Sequence, residues 1–420
     1  MSGHDIHRSI DAVWRMESAR LIAGLVRIVR DVGLAEEFAQ DALVAALEKW
    51  PDTGVPDNPG AWLMTTARNR AIDRLRHLQL REHKHVELAW ELEQWQRDAD
   101  ARGDELLDDT VGDDLLRLMF IACHPVLPAE SRVALTLRLL GGLETGEIAH
   151  AFLTSEPTIA QRIVRAKRTL ADAQVPFEIP RREELPGRLS AVLGVIYLVF
   201  NEGYAASSGE DWMRPALCEE ALRLGRVLAG LMPQEPEVFG LLALMELQAS
   251  RQHARVAADG TPVLLLEQDR SRWDRLLIGR GLEALAQAGR LGGASGPYAL
   301  QAAIAACHAR ATTAEATDWT RIVALYGALA QVTPSPVVEL NRAVAVAMAN
   351  GPAAALPLVD ALRDDAKLAG YHLLPSVRGD LLCRLGRIDE ACVEFTRAAA
   401  MTGNARERAL LEARAAACRR

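Results

Sequence analysis

From one glycine or proline break to the next, apolar residues in this 420-residue chain recur at helical spacing. No run of alternating β-branched residues is long enough to suggest a sheet. Ala, Leu and Arg, all good helix formers, fill the intervals, and aromatic residues make up only 5%. The expected fold class is therefore all-α. The length exceeds what one ordinary core accommodates, so several domains are expected.

Punctuation and charge divide the chain. "DAVWRMESARLIAGLVRIVRDVG" reads as a helix that stops at Gly33, and "LAEEFAQDALVAALEKW" as a second that ends before Pro51. "PDTGVPDNPG" (51–60) reads as a loop, and "WLMTTARNRAIDRLRH" follows as a basic helix. The net charge of −8 argues against nucleic acid only on average. Residues 60–86 carry six Lys/Arg against two acids, residues 87–114 two against eleven, and residues 157–172 four against one. The organisation read from this is a helical block at 6–86, an acidic linker at 87–112, a second helical block at 113–176, a helical region at 177–290, and repeats at 291–420. In the last block "PVVELNRAVAVAMANGPAAALPLVDAL" aligns with "LPSVRGDLLCRLGRIDEACVEFTRAAA" when Gly351 is laid on Gly386, an offset of 35 residues. Two helices around a glycine turn at that period suit a tetratricopeptide-like (TPR-like) repeat.

Within residues 113–176 the parse is helix 129–140, a Gly141-Gly142 break, helix 144–152, a turn and helix 156–172. Ser155 is the expected N-cap, with Pro157 in the first turn. This spacing suits a helix-turn-helix whose second helix enters a major groove. Thr158, Gln161, Arg162, Arg165 and Arg168 share its outer face, and Ile159, Ile163 and Ala166 fall inward. Arg and Gln suit base edges and phosphates. A helical hairpin with a solvated basic face is the competing reading. On the basic helix, Ala67, Ala71, Leu75 and Leu78 form the buried stripe, with Arg70, Arg74, His77 and Arg81 along one flank and Arg68 and Arg76 on the other side. Trp62, Thr65, Thr66 and Asn69 stand near its start, a combination suited to unstacked bases.

These residues resemble a known family. "AEEFAQDALVAALEKW", the proline-rich loop and "WLMTTARNRAIDRLRH" are similar to region 2 of sigma-70-type factors of the extracytoplasmic-function (ECF) class. "SRVALTLRLLGGLETGEIAHAFLTSEPTIAQRIVRAKRTL" is similar to region 4 of that class. The order matches over residues 10–172. "FNEGYAASSGEDWMRPALCEEALRL", "DGTPVLLLEQDRSRWDR" and "GPYALQAAIAACHA" resemble the long C-terminal extension of one ECF subgroup that carries TPR-like helices.

The resemblance implies a promoter-specificity subunit of bacterial RNA polymerase, not an enzyme. Glu36, Gln40 and Asp41 would contact core polymerase through the clamp helices of its β′ subunit, and region 4 would meet the β flap. Trp62, Thr66, Arg68, Asn69, Arg70, Asp73, Arg74 and Arg76 would hold the melted −10 element. Ser155, Thr158, Gln161, Arg162, Arg165, Lys167 and Arg168 would bind the −35 duplex. Ala160 departs from the basic or polar residue that many members carry there, which bears on −35 preference. The acidic linker would thread through basic polymerase interior. The C-terminal helices would regulate in cis through a peptide or small ligand. A helical-repeat scaffold whose sigma-like half makes only protein contacts is the rival reading.

The six cysteines form no CxxC pair, the N-terminus shows no signal-peptide core, and no apolar run approaches the ~18–20 residues of a membrane span. A soluble cytoplasmic protein without membrane contact is expected. His124, His150, His253 and His308 lack ligand-spaced neighbours, and there is no P-loop, GxGxxG or HExxH. No catalytic residue, metal or cofactor is expected.

Overall fold

A computed structural model describes residues 3–79, 105–257 and 260–418, which form two compact units whose boundary falls between Ile196 and Tyr197. Helices dominate both. Among the described residues, extended pairing is confined to one two-residue parallel pair, β1 (Ser208–Gly209) with β2 (Gly403–Asn404), and a single Val256–Pro262 bridge.

The first unit begins with α1 (Gly3–Val29), α2 (Val32–Thr53) and α3 (Pro59–Gln79), which pack on one another. The break after α1 comes at Arg30, φ 53°, three residues before the expected Gly33. Asp31 forces it there: its carboxylate accepts the Leu34 N–H at 2.8 Å and starts α2. At the far end α2 runs through Pro51 to Thr53, where the sequence reading ended it at Trp50. A proline in the last turn loses only one backbone hydrogen bond, and Gly54, φ 83°, closes the helix by donating to the Trp50 carbonyl at 2.9 Å. Asn58 then caps α3 through the Ala61 N–H, with Pro59 in the first turn.

Of the expected linker, residues 87–104 lie outside the described residues, while 105–112 belong to α4 (Glu105–Ala122). Within α4, Leu116, Leu118, Met119, Phe120 and Ile121 are buried. Then follow α5 (Ala129–Leu139), α6 (Thr145–Ala151) and α7 (Glu156–Asp172). Glu144 and Glu147 cap α6 reciprocally. Ser155 caps α7 by accepting the Thr158 N–H, and Ile159, Ile163, Ala166 and Leu170 form its buried face.

The boundary between units falls inside α8 (Leu185–Tyr204). The second unit continues with α9 (Pro215–Leu231), α10 (Pro236–Ala249), α11 (Arg275–Arg290), α12 (Pro297–Arg310) and α13 (Trp319–Val332). Residues 250–274, between α10 and α11, carry three short 3-10 turns. Two helix pairs end the chain, α14 (Pro336–Asn350) with α15 (Pro352–Asp360) and α16 (Leu373–Arg384) with α17 (Ile388–Met401), followed by α18 (Ala405–Ala417). Gly351 and Gly386 make the equivalent turns at φ 91° and 77°, a backbone that L side chains rarely adopt. Leu340, Val359, Leu382, Phe395 and Leu411 share the core of these pairs. Buried Arg378 spans Asp360 at 2.7 Å and Glu394 at 2.8 Å. Among the described residues no helix is long and apolar enough to cross a membrane, and no group of three or more His, Cys, Asp or Glu is placed to hold a metal ion.

Candidate nucleic-acid interface

The buried stripe on α7 fixes what the helix shows outward. Gln161, Arg165 and Arg168 are exposed, as is Ser155 at the cap, while Thr158 and Arg162 are half-buried. Arg168 pairs with Asp172 at 3.5 Å along the same helix. Arg162 is paired with Glu130 of α5 at 2.7 Å, which holds its guanidinium at the margin of the face. Between Gln161 and Arg165 stands Val164, 65% exposed. The sequence reading overlooked it, although three residues after Gln161 is the position a helix places on the same face. An exposed apolar side chain among donors suits a thymine methyl.

Among the described side chains of α3 the exposed polar positions are Thr65, Asn69 and Asp73, with Trp62, Thr66, Arg68 and Arg70 half-buried. Trp62 meets the ring of fully buried Trp50 edge-on, centroids 5.3 Å apart, which fixes its plane. Of the expected stripe, Ala67 and Ala71 are buried, joined by Leu63 and Ile72. The side chains of Arg74, Leu75, Arg76, His77 and Leu78, and the whole of Arg81, lie outside the described residues.

Two of the implied roles meet in one contact. Arg70 donates to the Asp41 carbonyl at 2.5 Å and lies 3.6 Å from its carboxylate, joining an implied DNA contact to an implied polymerase contact. Glu36 goes further. It is 4% exposed, accepts from Gln40 at 2.8 Å and from Arg138 of α5 at 2.6 Å, and pairs with Lys167 of α7. Burial raises the Glu36 pKa, but Lys167 and Arg138 outweigh that and hold it below the ordinary carboxylate range. Arg15 with Glu147 at 3.1 Å and Arg27 with buried Asp114 at 3.3 Å are two further bridges from α1. At Asp114 burial outweighs Arg27 and Arg117, and its carboxyl titrates above the ordinary range. In this arrangement Glu36 and Lys167 turn toward each other, and neither faces outward with the groups expected beside it. What α2 presents instead is Glu37, Val44, Leu47 and Glu48, all exposed, with Gln40 and Asp41 half-buried on the same side. Apolar Val44 and Leu47 among acids make a surface suited to a basic protein partner.

Residues 14–81 match the family described as Sigma-70 region 2, residues 117–170 that described as Sigma-70, region 4, and residues 188–289 a family of unknown function, DUF6596. An uncharacterized protein of Rhizobium meliloti (strain 1021) is 47% identical over 394 residues, covering 93% of this chain and 91% of its own. ECF RNA polymerase sigma factor SigK of Mycobacterium ulcerans (strain Agy99) is 30% identical over 154 residues, 36% of this chain and 77% of its own. A protein described as probable ECF RNA polymerase sigma factor SigI, of Mycobacterium tuberculosis (strain CDC 1551 / Oshkosh), is 27% identical over 180 residues, 43% of this chain and 59% of its own. No solved structure matches the chain.

Proposed function

Because the chain belongs to the ECF class of the sigma-70 family, we propose that it directs bacterial RNA polymerase to promoters with α7 on the −35 duplex and α3 against the melted −10 strand. The observation that carries this is the open face of α7, where Gln161, Val164, Arg165 and Arg168 stand exposed over a helix anchored by four buried side chains. A bidentate Arg–guanine contact supplies about 1–3 kcal/mol of base discrimination. At the −10 element each unstacked base costs a few kcal/mol, which stacking at Trp62 and bonds from Asn69 offset by about 1–3 kcal/mol per base. The exposed face of α2, with Val44 and Leu47 at its centre, docks on the clamp helices of the β′ subunit. The second unit regulates this activity in cis. The domain limits that go with this reading are region 2 at 6–86, the linker at 87–112, region 4 at 113–176, the family-specific helices at 177–290 and the repeats at 291–420.

One observation favours a second reading. Glu36, Lys167, Asp41 and Arg70 all pair within the chain, as they would in a scaffold whose sigma-like half makes only protein contacts. Charge reversal at Arg162 and Arg165 separates the two. If α7 reads DNA, holoenzyme carrying R162E and R165E loses promoter retention in a gel-shift assay by at least about a hundredfold. Unchanged retention would leave the scaffold reading standing.

A further inference from the structure

Guanidinium groups inside a protein ordinarily sit against carboxylates, as Arg378 does against Asp360 and Glu394. The segment 250–274 departs from that pattern three times. Arg255 and Arg270 are each 7% exposed and Arg251 is half-buried. Among the described residues, every partner within bonding distance of the three is neutral. Arg255 donates to the Tyr204 carbonyl and lies 3.5 Å from the centroid of that ring. Arg270 donates to the His308 and Ala311 carbonyls at 2.7 and 2.8 Å and to the Thr317 hydroxyl at 3.1 Å. The exposed Glu315 acts on Arg270 only at longer range.

Two of these cations have a structural explanation. Arg255 and Arg270 hold carbonyls at the C-terminal ends of α8 and α12, where the helix dipole supplies partial negative charge. Arg251 has no such partner. Its Nη2 donates to the Tyr204 hydroxyl at 2.8 Å and to the Gln248 side chain, and its guanidinium lies 5.7 Å from the Trp273 ring centroid. Among the described residues no acceptor bonds its Nε or Nη1, and the residue is half-buried. Near Arg251 and Arg270 lies His308, 8% exposed, edge-on to Trp319 at 5.1 Å, its Nδ1 buried without a partner. Burial, then Arg251 and Arg270, push this imidazole down to about 3, so it is neutral and cancels none of the charge.

The surroundings are aromatic. All five tyrosines of the chain (Tyr197, Tyr204, Tyr298, Tyr326, Tyr371) belong to this unit, and each is half-buried. Tyr197 meets Tyr298 edge-on at 5.5 Å and donates to Gln301 at 3.2 Å. The rings against Arg251 itself are Tyr204 and Trp273, whose centroids lie 5.9 and 5.7 Å from the guanidinium.

We propose that Arg251, flanked by Tyr204 and Trp273, binds a small organic ligand that carries an oxyanion on an aromatic body. The free edge of the guanidinium matches a carboxylate or phosphate, the rings take up the aromatic part, and Arg255 and Arg270 add positive potential behind them. This gives a ligand class to the unit proposed above to regulate in cis. Binding is measured without polymerase, so failure here is distinct from failure of that proposal.

Calorimetric titration of the full chain with phenyl phosphate and with benzoate tests it, with benzyl alcohol as the neutral control. Saturable binding of at least one anion and none of the alcohol is expected, and the tighter of the two identifies the oxyanion. R251Q weakens that binding by roughly tenfold or more, and R251K, which keeps the charge without the fork, falls between. Thermal melts verify that both variants fold, and R251K alone suffices if R251Q does not. Absence of saturable binding by both anions, or affinity that neither variant changes, overturns the proposal.

Discussion

At Glu36 one carboxylate holds two cations from distant parts of the chain, Arg138 and Lys167, with its side chain 5% exposed and theirs 22% and 23%. E36Q leaves both cations without an ion partner, and a loss of about 1–3 kcal/mol in urea unfolding is expected. The pH dependence has a definite sign. The folded-state pKa is depressed below the ordinary 4.5, so the contribution is complete above that value and is lost as pH falls through the folded one. Unfolding series on both proteins between about pH 6 and pH 3 will show the wild-type advantage shrinking toward the acid end. A difference that stays constant with pH contradicts the assignment. Cysteine reactivity divides in a similar way. Burial pushes Cys123 up to about 11 and Cys218 to about 12, whereas Cys383 is exposed. A disulfide thiol reagent at mild alkaline pH labels Cys383 in the native protein and reaches Cys123 and Cys218 only on unfolding. Neither the Glu36 clasp nor this division could be read from the sequence, since Glu36 and Arg138 are 102 residues apart and thiol burial depends on tertiary packing.

Local physics governs the helices. The inward face of α7 at Ile159, Ile163 and Ala166 follows from spacing alone, and the Ser155 cap from residue type, so both were legible before any packing was known. The misplaced boundaries lie where a cap competes with a breaker. Asp31 acts ahead of Gly33, and Pro51 is tolerated because in the last turn it forfeits a single backbone hydrogen bond before Gly54 closes the helix. The two repeat glycines yield a comparison of opposite signs. Gly351→Ala and Gly386→Ala, at φ 91° and 77°, should each cost about 1 kcal/mol. Gly327→Ala lies inside α13, where an added methyl meets nothing within 4 Å, and should stabilise by about 0.5–1 kcal/mol. Chemical denaturation of the three variants checks both signs at once.

At the scale of the whole molecule, residues 1–196 hold both sigma-like regions and residues 197–420 hold Arg251, Arg255 and Arg270. If the second unit regulates in cis, a chain ending at Ile196 and the full chain will differ in run-off yield with the same core polymerase. Equal yields at every promoter would remove that part of the account. The two sigma-like regions were legible in charge, as basic stretches at 60–86 and 157–172 around an acidic one at 87–114. The proposed oxyanion site was not, since its arginines lie in a segment whose partners come from α8, α10, α12 and the loop after α12. Promoter opening itself is the most direct test of the central claim. Purified protein mixed with core RNA polymerase on genomic promoter fragments should make thymines at the −10 element reactive to permanganate, and R162E/R165E should abolish that reactivity. Equal reactivity with the double variant, or none at any promoter with the wild type, would contradict it.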